Sequence, residues 1–90
     1  YGIRYKGYLT DAATTIIIGE PKNARHVRCI EVAKQALAAG IAQAKAGNFV
    51  GDISAAIETT VTQGGFHIIR ELTGHGLGTQ IHEKPDIYNF

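Results

Sequence analysis

Two histidines, His75 and His82, stand near the ends of the glycine-rich stretch Gly74-His75-Gly76-Leu77-Gly78-Thr79-Gln80-Ile81-His82. Glycine permits φ > 0 and lets backbone approach a ligand closely, so glycines on both sides of His75 clear room for its ring to reach a metal or a substrate. Two neighbouring imidazoles suit hydrolysis. One holds a metal ion and the other donates a hydrogen bond to a developing oxyanion. Neither has the helical spacing of an HExxH site, so no local rule fixes them as ligands. The plainer alternative is a pair of polar surface residues in a loop.

Asp11 is the third candidate. It follows the strand-like Tyr8-Leu9-Thr10, and aspartate is a poor strand residue. Inside a sheet its carboxylate must be paired or bound to a cation; otherwise it is an edge or turn residue facing water. Asp52 and Glu58 read as helix surface, with Asp52 also favoured near a helix N-terminus by the dipole. His26 and His67 read as exposed. Cys29, beside an apolar stripe, reads as a small core residue.

Positioning these groups requires a scaffold, and the hydrophobic pattern gives one. Residues 1–18 read as a β-hairpin. Its first arm carries Ile3 and Tyr5, Lys6-Gly7 makes the turn, and Tyr8 through the β-branched run Thr14-Thr15-Ile16-Ile17-Ile18 makes the second arm. A helix is predicted over 24–45, with Val27, Ile30, Leu37, Ile41 and Ala44 as its apolar stripe. Gly40 inside it marks close packing, and Gly47 ends it at C′. Asn48 is placed as cap of a second helix over 49–63, whose inward stripe is Ile53, Ala56, Ile57 and Val61. Gly64-Gly65 stops it. Phe66 to Ile69 reads as a short strand, Thr73 to Gly78 as a loop, Gln80 to His82 as a strand and Glu83-Lys84-Pro85 as a turn. The class is α+β: hairpin, two helices and short antiparallel strands, with the helices covering one face of a sheet.

Composition narrows the function classes. Ninety residues make at most one small domain, and a chain that short buries only about 60 % of the surface it exposes unfolded. A formal net charge of +1 with scattered Lys and Arg gives no argument for nucleic acid or an acidic membrane. The single cysteine excludes an internal disulfide and fits a reducing compartment such as the cytoplasm. No apolar run reaches the ~20 residues that span a bilayer. The absence of Met, the opening on strand-like sequence and the stop at Phe90 read as a partial domain over 1–90, truncated at both ends.

These residues together resemble the type I methionine aminopeptidases. Gly74-His75-Gly76-Leu77-Gly78, Ile81-His82-Glu83 and Pro85 look like the family signature G-H-G-[IL]-G-x-x-[hydrophobic]-H-E-x-P. Ile69-Arg70-Glu71-Leu72 resembles its lead-in, and Ile87-Tyr88-Asn89-Phe90 its trailing V-P-N-[FY]. Tyr5-Lys6-Gly7-Tyr8-Leu9-Thr10-Asp11-Ala12-Ala13 resembles its metal-bearing hairpin, and Ala46-Gly47-Asn48 the turn between its helices. Thr79-Gln80, Ala46 and Tyr88 depart from the commonest residues, in loops only.

The resemblance implies a pita-bread fold, with this chain forming the first half and the start of the second. It implies two divalent ions (Co, Mn, Fe or Zn), with Asp11 and His75 as metal ligands. His82 corresponds to the catalytic histidine that contacts the scissile peptide, and Ile81 to an apolar wall of the methionine pocket. The expected substrate is the N-terminus of a peptide or nascent protein, with the ribosome as its setting. The remaining ligands, an aspartate and two glutamates, are expected before Tyr1 and after Phe90. The fragment alone is therefore expected to be inactive and to self-associate through exposed sheet edge and apolar surface. Two rivals share parts of this pattern. One is a proline-specific aminopeptidase or prolidase, disfavoured by Arg70-Glu71-Leu72 and Asn89-Phe90. The other is a non-catalytic pita-bread module that binds peptides, disfavoured by retention of Asp11, His75 and His82.

Overall fold

In a computed structural model, which describes residues 1–90, the chain forms two antiparallel strand pairs joined through a helical hairpin. The order is β1 (Gly2–Tyr5), β2 (Tyr8–Asp11), α1 (Ala24–Gln43), α2 (Val50–Gln63), β3 (Gly74–Gly76) and β4 (Glu83–Ile87). No helix is long and apolar enough to cross a membrane.

The first hairpin follows from its turn. Tyr5 pairs with Tyr8 across Lys6 and Gly7, whose φ values are 49° and 86°. Two positive φ angles match the right-handed twist of the flanking strands, and glycine takes one of them without strain. The second arm ends at Asp11, not at Ile18. Strand β1 offers four residues, so the β-branched run beyond Asp11 has nothing to pair with. β-propensity is realised only against a neighbouring strand. Ile18 is accordingly 93 % exposed.

Helix α1 starts where Asn23 accepts a hydrogen bond from the Arg25 amide at 2.8 Å. It ends at Gln43, two residues short of the expected end, and Gly47 then turns the chain at φ 89°. Asn48 does not cap α2. Its amide turns back and donates to the Gln43 carbonyl (3.1 Å) and to Gln43 Oε1 (3.0 Å), closing the end of α1. The start of α2 is closed instead by Asp52, whose Oδ2 accepts from the Phe49 N–H at 2.7 Å.

The helices meet along small residues. Val32, Ala36 and Gly40 are the buried positions of α1, spaced one helical turn apart. The expected stripe lies one face over: Leu37 and Ile41 are 60 % and 65 % exposed. Small side chains let the backbones approach, which decides the seam against the bulkier apolar face. A Cβ on Gly40 would lie 2.9 Å from both Cδ1 and Cγ1 of Ile57, so the close packing expected there is present. Ser54 of α2, also buried, donates to the Tyr88 carbonyl at 2.6 Å and so fastens the helical layer to the end of β4.

After α2 the chain runs from Phe66 to Leu72 without strand structure, because no neighbouring strand is present for it to pair with. The expected loop and turn are instead the two strands β3 and β4, and the expected strand over 80–82 belongs to their connection. Glycine weakens strands in general. Here it is required by close backbone approach. A Cβ on Gly74 would lie 2.9 Å from the Ile87 carbonyl oxygen, and one on Gly76 would lie 2.7 Å from that of Lys84. An open groove of about 390 Å³, lined by Val32, Leu37, Val61, Phe66 and Leu72 among others, runs beside the helix seam. Cys29 sits on its wall and is exposed, rather than packed in the core.

Candidate metal centre

Asp11 is the last residue of β2 and His75 the middle residue of β3. The two strands belong to separate sheets. A single backbone bond, Leu9 N–H to the Gly78 carbonyl at 2.7 Å, links the first hairpin to the β3–β4 connection. Across that link His75 Nε2 stands 3.9 Å from Asp11 Oδ2, with the histidine side chain 21 % exposed and the aspartate 46 %. His75 Nδ1 faces the carbonyl of Gly76 at 3.1 Å. A proton on Nδ1 satisfies that contact and leaves the Nε2 lone pair aimed toward the carboxylate, which is the tautomer a metal ligand needs.

His82 is brought to the same place. Its ring centroid lies 4.2 Å from that of His75, with the planes tilted by 52°. Ile81, next to it, is exposed on the connection and is absent from the cleft that the histidines share. That cleft, of about 420 Å³, is lined by Glu71, Thr73, His75, His82, Glu83 and Lys84, with Leu72 and Asp86. Asp11, His75 and His82 are therefore gathered, while Ile81 stays outside the cleft wall. His26 and His67 are exposed, as expected.

Some contacts at the site are not written in the motif, although Glu83 itself belongs to it. Glu83 accepts from the Gln80 N–H at 2.9 Å and from the Thr79 hydroxyl at 3.4 Å. Lys84 and Asp86 form an ion pair at the cleft wall. The hydrogen bond and charge of Asp86 raise the Lys84 pKa above its ordinary 10.5. Their spacing of two on one strand was the available signal, hidden because 83–85 reads as a turn.

The donor set fits one divalent ion. Two coordinate bonds of about 2.0–2.2 Å each span at most roughly 4.4 Å, so an oxygen and a nitrogen 3.9 Å apart are within reach of one ion, at a ligand–metal–ligand angle wider than tetrahedral. A carboxylate with an imidazole suits Mn, Fe, Co or Zn. No group of three or more His, Cys, Asp or Glu side chains is placed to hold a metal within this chain.

Two hairpins over a helical pair make a half-sandwich of the pita-bread type, with a carboxylate and an imidazole side by side where the hairpins meet. The backbone agrees: crystal structures of the methionine aminopeptidases of Rickettsia prowazekii and Thermotoga maritima both match 99 % of this chain with TM-scores of 0.92, at 29 % and 39 % identity. The chain belongs to metallopeptidase family M24, whose family model matches residues 1–90. It is 38 % identical over 89 residues to the methionine aminopeptidase of Borreliella burgdorferi, and 35 % identical over 89 residues to methionine aminopeptidase 1 of Bacillus subtilis. It covers 99 % of its own length in both matches, but spans only 35 % and 36 % of those relatives. The two structural matches are covered to a similar extent, 36 % and 35 %.

Proposed function

We propose that the whole protein is an aminopeptidase that removes N-terminal methionine from peptides and nascent proteins, and that residues 1–90 are a partial peptidase domain carrying part of its centre. The observation that supports this most is the convergence of Asp11, His75 and His82, with the first pair 3.9 Å apart and the two rings 4.2 Å apart. The relatives from Borreliella burgdorferi, Clostridium acetobutylicum and Bacillus subtilis are named methionine aminopeptidases, which favours this reading over a proline-specific enzyme.

In this reading Asp11 and His75 hold divalent metal, with Co, Mn, Fe and Zn all compatible with the donors. A pair of divalent ions, when bound, supplies Lewis acidity that lowers the pKa of water. The Nδ1 contact to Gly76 keeps His75 in the ligating tautomer. His82 donates to the substrate carbonyl oxygen as negative charge develops there. Ile81 corresponds to the apolar wall of the methionine pocket, beside His82. The other metal ligands come from parts of the protein outside residues 1–90. The setting is the cytoplasm, close to emerging nascent chains, and the isolated 90-residue chain self-associates through its apolar surface.

The test is hydrolysis of Met-Ala and Xaa-Pro peptides by the whole protein with added Mn²⁺ or Co²⁺. Release of methionine, lost in His82→Ala, supports the proposal. Cleavage of Xaa-Pro alone, or of neither peptide, overturns it.

A further inference from the structure

Glu83 lines the cleft beside His75 and His82, and its carboxylate is engaged by its own chain neighbours. Its Oε1 accepts from the Gln80 amide and the Thr79 hydroxyl. The carboxylate lies so close to Gly78 that a Cβ there would meet Oε2 at 2.5 Å and Oε1 at 2.8 Å. The same short connection closes on itself through Gly78 N–H to the Gln80 carbonyl at 3.3 Å. One acceptor therefore gathers residues 78, 79 and 80 into a single compact turn.

That turn has two outputs. At one end the Gly78 carbonyl receives the Leu9 N–H at 2.7 Å, the only backbone bond between the first hairpin and the second strand pair. Leu9 is two residues before Asp11 on the same strand, so this bond sets how far Asp11 stands from His75. At the other end the turn delivers His82 against the His75 ring. We propose that Glu83 is the positioning residue of this centre: its carboxylate holds the 78–82 turn, and through it fixes both the Asp11–His75 separation and the His75–His82 contact. Glu83 does no chemistry itself. It acts as an acceptor, so the amide oxygen of glutamine can replace it, whereas aspartate, one methylene shorter, cannot reach the Gln80 amide.

The proposal rests on the aminopeptidase reading for its kinetic arm only. In the metal-free whole protein with labelled histidines, the NMR contact between the His75 and His82 rings is expected to persist in Glu83→Gln and to vanish in Glu83→Ala and Glu83→Asp. With metal added, kcat/KM for a Met-Ala peptide is expected to fall on the order of 10–100-fold in the Ala and Asp variants, as for removal of a group that orients metal ligands, and to recover in the Gln variant. Retention of the ring contact in Glu83→Ala overturns the proposal. So does its loss in Glu83→Gln, which would make the charge, not the acceptor, decisive. If Glu83→Ala fails to fold, the Gln and Asp variants carry the same comparison. If the parent protein cleaves no peptide, the aminopeptidase reading fails, and the ring contact still decides the role of Glu83.

Discussion

His75 Nε2 and Asp11 Oδ2 lie 3.9 Å apart although both α-helices intervene between them in the chain. The pairing depends on one backbone bond from Leu9 to Gly78 and on glycines that allow β3 and β4 to approach closely. Each of these supports makes a testable demand.

Gly76→Ala should disrupt the second strand pair. The new Cβ would lie 2.7 Å and 2.8 Å from the carbonyl oxygens of Lys84 and Glu83, and backbone cannot swing away as a side chain can. The expected result is loss of the His75–His82 ring contact by NMR and loss of peptidase activity, with helix content unchanged by circular dichroism. A fully active variant would contradict the strand pairing.

Gly64→Ala should lower stability by about 1–3 kcal/mol through overpacking. Its Cβ would sit 2.6 Å from both γ-methyls of Val32, a buried and stiff side chain. Val32→Ala alone should destabilise by leaving a cavity. Because the two residues touch, the double variant should be more stable than the sum of the single losses. Chemical denaturation measures all three, and simple additivity would mean the contact is not made.

Ser54→Ala should cost about 0.5–1.5 kcal/mol, the net worth of an intramolecular hydrogen bond whose acceptor can turn to water. The hydroxyl reaches the Tyr88 carbonyl at 2.6 Å in a side chain only 6 % exposed. Amide exchange should accelerate around Ile87 and Tyr88 while α1 stays protected. Unchanged exchange would show that Ser54 does not fasten the helical layer to β4.

The Lys84–Asp86 pair links stability to alkaline pH. The folded pKa of Lys84 is raised, so its contribution is complete below the unfolded value of 10.5 and disappears as pH climbs through the higher folded value. Asp86→Asn should therefore move the alkaline unfolding midpoint to lower pH, by a small amount because the pair is open to solvent. Equal midpoints in the two proteins would remove any role for the pair.

How much of this was legible beforehand depended on whether local chemistry or long-range pairing decided the element. The Lys6-Gly7 turn and both helices were readable, because positive-φ demands and the 3.6-residue period are written in neighbouring residues. The α+β class and the gathering of Asp11, His75 and His82 were likewise legible, the latter through the family motif. Strand ends were not. Ile16 to Ile18 have the composition of a strand and no partner, whereas Gly74 to Gly76 have the composition of a loop and a partner at contact distance. The helix seam lies one face away from the hydrophobic stripe because hydrophobicity favours Leu37 and Ile41, while backbone approach favours Ala36 and Gly40. Asn48 lies between two helix ends, either of which its amide suits, and it closes α1 rather than α2. Glu83 stands in the motif, but its hold on Thr79 and Gln80 is not written there.

Calorimetric titration of Mn²⁺ into the whole protein, into Asp11→Asn, into His75→Ala and into the double variant tests the shared centre most directly. If one ion is held by both side chains, each single change lowers affinity at least ~10-fold, and the double variant binds more tightly than the product of the two losses. Unchanged affinity in either single variant, or losses that simply multiply, would mean that Asp11 and His75 do not hold the same ion.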